Sequence, residues 1–292
     1  MLKRYRTLLL IGALLLVALI LLLRSCGSNA AEAEASLQTS PSPELAPGIE
    51  QIRLLEDADP AEIDEILKDY HHQELLERRD DRFSAMDEDP EKVWSMLEDY
   101  VILGDSRGAG FKFISALDES RNLATYGNTI DHISENFETI DALNPSYIIL
   151  VFGTDDILLP QCADEAGFKE YFTPYLQELQ ERYPDALILL NPIFPCIGEG
   201  LERYEQWQYT AKYDQVLREI ASETGVCYVN CDEVELTDAD YKEDGIHFWN
   251  DFMNRWMRRI VTTIYDAEFG LYEEPVEAPV APSGTAEQAS AV

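Results

Sequence analysis

The sequence predicts an α/β fold of three layers, in which helices cover both faces of a five-stranded parallel sheet. One observation is the rhythm from residue 100 onward, where short apolar runs alternate with segments of helical spacing. Another is that these runs lack polar alternation, which is typical of parallel strands buried on both faces. In chain order, the predicted strands are YVIL, NLATY, YIILVF, ALILL and VCYV.

The segments between the strands account for the helical layers. GFKFISALDES can form the first helix, and HISENFETIDAL ends at Asn144-Pro145, because the residue before a proline disfavours helical geometry. FKEYFTPYLQELQERY has an amphipathic pattern, and YDQVLREIASET ends at Gly225, a residue type that often terminates helices. FMNRWMRRIVTTIYD is the closing helix of the predicted fold.

An uncharged apolar run from Leu8 to Leu23 opens the chain behind the basic segment MLKRYR. The excess of basic residues before the run predicts that the body of the protein lies outside the cytoplasm. Three fates are open for the run: a retained signal anchor, cleavage near Ser28-Asn29-Ala30, or a lipobox ending at Cys26. We favour the single-pass anchor, with secretion or lipid anchoring as the alternatives.

Composition divides the rest of the chain. The predicted divisions are a signal anchor or signal peptide (1–26), a flexible tether (27–48), an acidic helical segment (49–98), the main domain (99–270) and a disordered tail (271–292). In the acidic segment, Pro60 suits a helix start. The helical stripe that follows it consists of Ile63, Ile66, Leu67 and Tyr70.

The formal net charge of the 292-residue chain is −34 at pH 7. Such a charge argues against a nucleic-acid partner, because phosphate backbones are bound by clustered lysine and arginine. The five cysteines form no zinc pattern and no disulfide scaffold. A Cys162–Cys196 bridge is possible, but we expect free or buried thiols.

Chemically useful residues follow the ends of several predicted strands. Ser106 comes directly after the first strand, and His247 and Asp244 lie on a loop after the fifth. Because ligands bind at the carboxyl ends of parallel strands, these three side chains are expected on one rim. A serine needs an adjacent base to become a nucleophile, histidine can be that base, and a carboxylate can orient the histidine.

The order of these motifs resembles the SGNH hydrolase superfamily, also called GDSL esterases and lipases, over roughly Asp99 to Asp266. The matching blocks are Gly104-Asp105-Ser106, Gly127, Gly153 to Asp156, and Asp244 with His247. The resemblance implies a flavodoxin-like fold and no metal or other cofactor. It also implies Ser106 as nucleophile, His247 as base and Asp244 as its orienting group. The implied oxyanion donors are the N–H groups of Ser106 and Gly127, together with the side chain at position 155.

One position departs from the family pattern, since Asp155 stands where the family carries an asparagine donor. An ionised carboxylate cannot donate a hydrogen bond, and it repels the negative charge of an oxyanion. Three readings are open. Asp155 is kept neutral and donates as an acid, or two backbone donors are sufficient for a slow enzyme, or the protein retains a binding cleft without catalysis.

Other residues near the motifs have weaker interpretations. Arg107 and Asp156 are candidate substrate contacts, although Arg107 is expected to be solvated and Asp156 to brace a loop. Trp207 and Tyr209 are either a sugar-stacking rim or packing residues. Gly104-x-Ser106-x-Gly108 also fits the nucleophile elbow of α/β-hydrolases. That fold is set aside because only a tether and acidic helices precede Ser106.

The sequence therefore predicts an extracytoplasmic serine ester hydrolase that cleaves O-acyl esters. The expected substrate is an O-acetyl ester of a carbohydrate. The alternatives are an O-acyltransferase with the same triad and a non-catalytic surface binding module. The expected partners are a small-molecule or glycan ester and the membrane, with no nucleic acid. A protein partner is left open.

Overall fold

A computed structural model of the protein describes residues 60–88, 91–94, 97–114 and 117–273. The predicted anchor, the tether and most of the predicted tail lie outside these residues. Within the described part of the chain, no helix is long and apolar enough to cross a membrane. The chain divides into two units, Met1–Ile66 and Leu67–Val292. Of the first unit, only residues 60–66 are described, and they are the start of a helix.

Four parallel strands form the sheet among the described residues, in the order β1-β2-β3-β4. Their bounds are β1 (Tyr100–Gly104), β2 (Tyr147–Val151), β3 (Leu187–Leu190) and β4 (Cys227–Tyr228). In the register, Tyr100 pairs with Tyr147 and Gly104 with Val151. The parallel sheet of the predicted α/β fold is thereby confirmed, with each strand ending at the same edge.

NLATY, the second of the five predicted strands in chain order, is not a strand in the structure. This segment runs beside β1 and makes one isolated parallel bridge, between Ile102 and Asn122. The N–H groups of Leu123 and Thr125 donate to β1 carbonyls at 2.8 and 3.0 Å. However, the Asn122 side chain accepts from the N–H of Ala124 at 3.0 Å. Residues 123–125 have no regular secondary structure, so the segment lies beside β1 without forming a strand.

The α-helices flank the sheet on both faces. Their bounds are α1 (Pro60–Glu88), α2 (Glu91–Trp94), α3 (Ser106–Ala109), α4 (Phe137–Leu143), α5 (Glu165–Arg182), α6 (Glu199–Arg203), α7 (Thr210–Thr224) and α8 (Asn250–Phe269). Short 3₁₀ turns lie at Gly110–Phe113, Glu119–Arg121, Ile130–Asn136, Asp156–Leu158, Pro160–Cys162, Glu205–Tyr209 and Asp238–Asp240. The predicted ends of α4 and α7 are confirmed, since Asn144 and Gly225 adopt left-handed conformations there.

The helix predicted at GFKFISALDES (110–120) is wrong, because its described residues form 3₁₀ turns at Gly110–Phe113 and Glu119–Arg121 instead. The four-residue helix α3 comes directly before this segment. Gly108 and Gly110 fall inside this region, and glycine costs about 1 kcal/mol relative to alanine in a helix. The short helix α3 begins at Ser106, which is the feature that matters for the site.

Two hydrophobic cores lie on opposite faces of the sheet. Ile102 and Ile149 contribute to the core that contains α8 residues such as Trp256. Leu103 and Leu150 contribute to the other, which contains residues of α5 and α7. Successive residues of a strand point to opposite faces, so β1 and β2 supply both cores. This arrangement is the predicted three-layer architecture.

The described part of the acidic segment contains the long helix α1 and the short helix α2, and residues of the predicted apolar stripe on α1 are exposed. Leu67 and Tyr70 are 57% and 70% exposed. The helix packs further along, where the ring of Phe83 meets that of Tyr265 with 6.2 Å between centroids. The predicted helix is confirmed, and it packs onto α8 through residues nearer its C-terminus, such as Phe83.

Candidate active site

Ser106 lies at the turn between β1 and α3, at the carboxyl edge of the sheet. The carboxylate of Asp105 caps α3 by accepting the N–H of Arg107 at 2.8 Å, and its other oxygen accepts the N–H of Thr154 at 3.2 Å. Gly104 allows this turn to approach β2, because a Cβ there would lie 2.3 Å from the Val151 carbonyl oxygen. The GDS sequence thus presents Ser106 at a helix start, held between two strands.

His247 and Asp244 form the pair that the sequence predicts. The Nδ1 atom of His247 lies 2.6 Å from Oδ2 of Asp244. The other carboxylate oxygen accepts the backbone N–H groups of Ile246 and His247, both at 2.9 Å. Burial acts to raise the pKa of Asp244, but the hydrogen bonds from His247 and Ile246 outweigh it and lower the pKa to about 2. The carboxylate is therefore ionised at neutral pH and orients the imidazole.

The remaining ring nitrogen of His247 is ready to accept a proton. Nε2 is buried and has no hydrogen-bond partner within the described part of the chain. The ring of Tyr126 lies 5.7 Å from the imidazole, centroid to centroid. An imidazole with one nitrogen on a carboxylate and the other unpartnered has the arrangement of a general base.

Arg107 joins the turn at Ser106, called the serine turn, to the loop that carries Asp244 and His247, called the histidine loop. The sequence analysis did not predict this role. Its Nε donates to the carbonyl of Ile246 at 3.0 Å, and its terminal nitrogens donate to the carbonyls of Phe194 and Pro195. The guanidinium carbon also lies 5.0 Å from the ring centroid of Phe248. Only 3% of Arg107 is exposed, so the expectation that it is solvated is wrong. Its other predicted role, as a substrate contact, gains no support from this position.

Asp155 stands at the position where the resemblance implies an oxyanion donor. Its side chain is half-buried. Burial raises the pKa of Asp155, while Arg107, the Gly127 N–H and His247 act in the opposite direction. The role of Asp155 as an oxyanion donor stays a prediction.

Asp156 is the loop brace that the sequence favours. It is completely buried and accepts the N–H groups of Ile130 at 2.8 Å and Gly153 at 2.7 Å. Burial, aided by the charges of Asp105 and Asp155, raises its pKa to about 8. A side chain without exposed surface has no face for a substrate, so the weak prediction of a substrate contact gains no support.

The proposed sugar rim at Trp207 is packing instead. Trp207 is 4% exposed, and its Nε1 donates to the Thr154 carbonyl at 2.7 Å, next to Asp155. Tyr209 is 45% exposed and contacts Lys212. Trp207 thus supports the loop that carries Asp155, while Tyr209 belongs to the surface.

Other aromatic residues border the site, and we call Phe113, Tyr126 and Trp249 the aromatic rim. They are 62%, 61% and 53% exposed. Tyr126 lies against His247, and Lys242 lies between the other two rings, 5.4 Å from Phe113 and 5.7 Å from Trp249. The backbone N–H of Lys242 donates to the His247 carbonyl at 2.7 Å. The rim is therefore continuous with the histidine loop.

The described cysteines are free and buried, as expected. They are Cys162, Cys196, Cys227 and Cys231. The Sγ atom of Cys196 accepts from the Arg107 guanidinium at 3.3 Å, and burial raises the pKa of this thiol. The possible Cys162–Cys196 bridge is absent, while Cys26 lies outside the described residues.

Comparison with protein families gives a match over the region that carries the site. The sequence model of the GDSL-like Lipase/Acylhydrolase family matches residues 103–252. This range includes the serine turn, the Asp155 loop and the histidine loop. Among curated proteins, no sequence matches the chain.

Solved structures that are similar to this chain include a lipase/acylhydrolase from Enterococcus faecalis, with a TM-score of 0.45 and 17% sequence identity. The match covers 62% of this chain and 100% of the other. A GDSL-like lipase from Bacteroides thetaiotaomicron gives a TM-score of 0.45 and 14% identity over 62% and 98% of the two chains. A family 3 carbohydrate esterase from Clostridium thermocellum gives a TM-score of 0.42 and 15% sequence identity. The match covers 58% of this chain and 94% of the other.

Proposed function

Because the chain belongs to the GDSL-like lipase/acylhydrolase family and is therefore an ester hydrolase, we propose that Ser106, His247 and Asp244 carry out the hydrolysis. The observation that carries this proposal is the arrangement of His247, with Nδ1 on an ionised carboxylate and a buried, unpartnered Nε2 in the described structure. The Arg107 contact with the Ile246 carbonyl supports it, because it ties the residue after Ser106 to the residue before His247.

The proposed reaction has two halves. Ser106 Oγ attacks the ester carbonyl, its proton passes to His247 Nε2, and the alcohol leaves with that proton. Water then attacks the acyl-enzyme and gives its proton to Nε2, which returns it to Ser106 as the carboxylic acid leaves. Asp244 stays ionised throughout and stabilises the charged imidazole, in keeping with its lowered pKa.

We propose a carbohydrate as the alcohol part of the ester. The aromatic rim supports this, because it presents exposed ring faces beside His247, and large exposed apolar surfaces usually mark binding sites. The flat, weakly polar face of a sugar ring can stack on such a ring while its hydroxyls stay in water. O-acetyl is the proposed acyl group.

The extracytoplasmic, membrane-anchored location is proposed from the sequence alone. It depends on the apolar run from Leu8 to Leu23 and the basic residues before it. Fractionation of cells that express the full-length protein would test it. We expect the protein to stay with the membranes after alkaline washing, and recovery in the cytoplasmic fraction would contradict the proposal.

The reaction is tested with the full-length protein and p-nitrophenyl acetate. Ser106→Ala should lower kcat/KM by on the order of 10³-fold or more, because the nucleophile of a triad cannot be replaced by its neighbours. The control is Ser134→Ala, whose exposed hydroxyl bonds only a nearby backbone carbonyl. Turnover that survives in Ser106→Ala would contradict the assignment.

The same assay can be extended to an acetylated oligosaccharide, with the products identified by mass. Release of free acetate indicates hydrolysis. Transfer of the acetyl group to an added sugar would indicate the acyltransferase alternative. A kcat/KM no higher for the oligosaccharide than for ethyl acetate would count against a carbohydrate substrate.

A further inference from the structure

The ammonium of Lys242 lies against two rings of the aromatic rim. It is 5.4 Å from the ring centroid of Phe113 and 5.7 Å from that of Trp249. Both distances are within the range at which a cation is attracted to an aromatic face. The side chain is also half-buried, so its charge is held at a defined place beside the rings. The surface that we propose for the sugar therefore contains a positive charge.

The backbone around Lys242 places its side chain on the same side as that of His247. Tyr241 pairs with Phe248 in an isolated antiparallel bridge, and the Lys242 N–H donates to the His247 carbonyl at 2.7 Å. In an antiparallel pair, facing residues point to one side and their neighbours along the chain to the other. Tyr241 and Phe248 are buried in the core. Lys242, His247 and Trp249 are accordingly on the opposite side, which is the side of the active site.

The positive charge of Lys242 is not balanced by a described acidic residue. Within the described ranges, no carboxylate forms an ion pair with this ammonium, although the chain has 56 Asp and Glu residues. Two carboxylates of the same segment have other partners, since Asp240 pairs with Arg255 at 2.6 Å and Asp244 with His247 at 2.6 Å. The three N–H donors of the ammonium are therefore available to an anionic group of a substrate.

The net charge of −34 gives this one cation a specific consequence. A protein with such a charge repels an anionic substrate at long range, so binding one requires a local positive charge. A neutral sugar would gain nothing from the charge. A lysine can also lie on aromatic rings only to cover their apolar surface, and in that role its charge would not affect the choice of substrate.

A uronic acid is the kind of sugar whose charge fits this arrangement. Its carboxylate is attached directly to the sugar ring. A sugar whose face lies on the ring of Trp249 thus carries its charge within reach of the ammonium beside that ring. One ammonium balances one carboxylate, and hydrogen bonds between two charged groups are roughly twice as strong as those between neutral groups.

Building on the proposed function, in which the rim binds a carbohydrate, we propose that Lys242 selects acetylated sugars that carry a carboxylate. Its ammonium donates to that carboxylate while the sugar face stacks on the rim and the acetyl ester lies at Ser106. Lys242 takes no part in the proton transfers, which belong to Ser106 and His247. The substrate class of the site is then an acetylated uronic-acid oligosaccharide.

The test uses the full-length protein and two substrates that differ only in charge. One is an acetylated oligogalacturonate, and the other is the same oligosaccharide with its carboxyls converted to amides. The readout is the ratio of their kcat/KM values for acetate release. The wild type should favour the charged substrate by about tenfold, because the amide loses a hydrogen bond between charged groups. Lys242→Met should lower the ratio to about one or less, since methionine keeps an unbranched apolar chain against the rings but has no charge.

Two further variants separate the charge of Lys242 from other effects. Lys242→Arg keeps a positive charge beside the rings and should retain most of the preference. Lys212 is the matched control, because it also lies on an exposed ring, 5.3 Å from the centroid of Tyr209, but pairs with Glu165. Lys212→Met should leave the ratio at its wild-type value. An equal fall of the ratio in Lys212→Met and Lys242→Met would overturn the inference, since the preference would then reflect net charge.

The failures of the two proposals are distinguishable. A wild-type ratio near one, a ratio unchanged in Lys242→Met, or no acetate release from either oligosaccharide overturns the role of Lys242 alone, provided that p-nitrophenyl acetate is still turned over through Ser106. Absence of Ser106-dependent turnover of p-nitrophenyl acetate overturns the proposed function and this inference with it. If Lys242→Met does not fold, the wild-type ratio decides: a value near one overturns the inference, and a value near ten supports it.

Discussion

At the scale of single residues, Arg107 organises the site without belonging to the predicted triad. Its buried guanidinium donates to backbone carbonyls on two loops and stacks on Phe248. One of these carbonyls belongs to Ile246, the neighbour of His247. A planar group with five donors in a fixed fork is suited to such bonding, whereas a lysine ammonium presents its donors from a single point.

We predict that Arg107→Lys lowers kcat/KM by at least about tenfold and the free energy of unfolding by about 2 kcal/mol, since hydrogen bonds from a charged donor are lost. The loss should appear mainly in kcat, because His247 moves relative to Ser106. Steady-state kinetics and urea unfolding measure both quantities. Arg121→Lys is the control, because Arg121 bonds the Tyr100 carbonyl at the opposite end of β1. An unchanged kcat in Arg107→Lys would contradict the positioning role.

At the scale of elements, α8 links the core to the edge of the active site. Trp256 in its middle is fully buried and donates from Nε1 to the Asn191 side chain at 2.9 Å. Trp249 caps its start beside the histidine loop and is 53% exposed, and Phe269 near its end is 46% exposed. One helix thus carries two exposed aromatic residues, of which only one borders the site.

Trp249 and Phe269 provide a matched test of the aromatic rim, because only Trp249 borders the site. Trp249→Ala should raise KM for an acetylated oligosaccharide by about threefold to tenfold, because one ring contact of roughly 1 kcal/mol is lost. The kcat/KM for p-nitrophenyl acetate should stay within about twofold of wild type, since this substrate has no sugar to stack. Phe269→Ala should alter neither quantity. Equal effects of both variants on the oligosaccharide would contradict a binding role for the rim.

At the scale of the whole molecule, the protein carries a net charge of −34 and buries several carboxyls around its site. Burial raises the pKa of Asp156 to about 8 from an ordinary 3.8, and burial together with Asp155 raises the pKa of Asp105. At pH values between 3.8 and about 8, these carboxyls hold more protons in the folded state than in the unfolded state. Raising the pH through this range therefore removes stability, and the general repulsion among acidic residues adds to the effect.

We predict a higher Tm at pH 5 than at pH 8, by at least about 3 °C for a protein of this size. Asp244 does not oppose this trend, because its lowered pKa confines its contribution to pH values below about 4. Thermal unfolding of the full-length protein measures the difference. Asp156→Asn should have a smaller dependence of Tm on pH between 5 and 8, whatever its absolute Tm. A Tm that rises from pH 5 to pH 8 would contradict the prediction.

Much of the fold was predictable because its signals are local. The apolar runs of β1 to β3 and the helix ends at Asn144 and Gly225 depend on neighbouring residues. The strand expected at NLATY makes only one bridge to β1, which the residue types of this segment do not show. The helix through Leu67 and Tyr70 was predictable from its periodicity, but periodicity does not show how exposed these side chains are.

The sequence alone determined the order of the candidate site residues, since Ser106, Asp244 and His247 are identified by residue type, short spacing and position after strands. It also revealed the unusual acid at position 155. Only the tertiary structure decided that Arg107 is buried between two loops and which aromatic residues are exposed. These facts depend on segments up to 139 positions apart in the chain. Burial and hydrogen-bond partners across such separations are set by packing, which local sequence patterns do not encode.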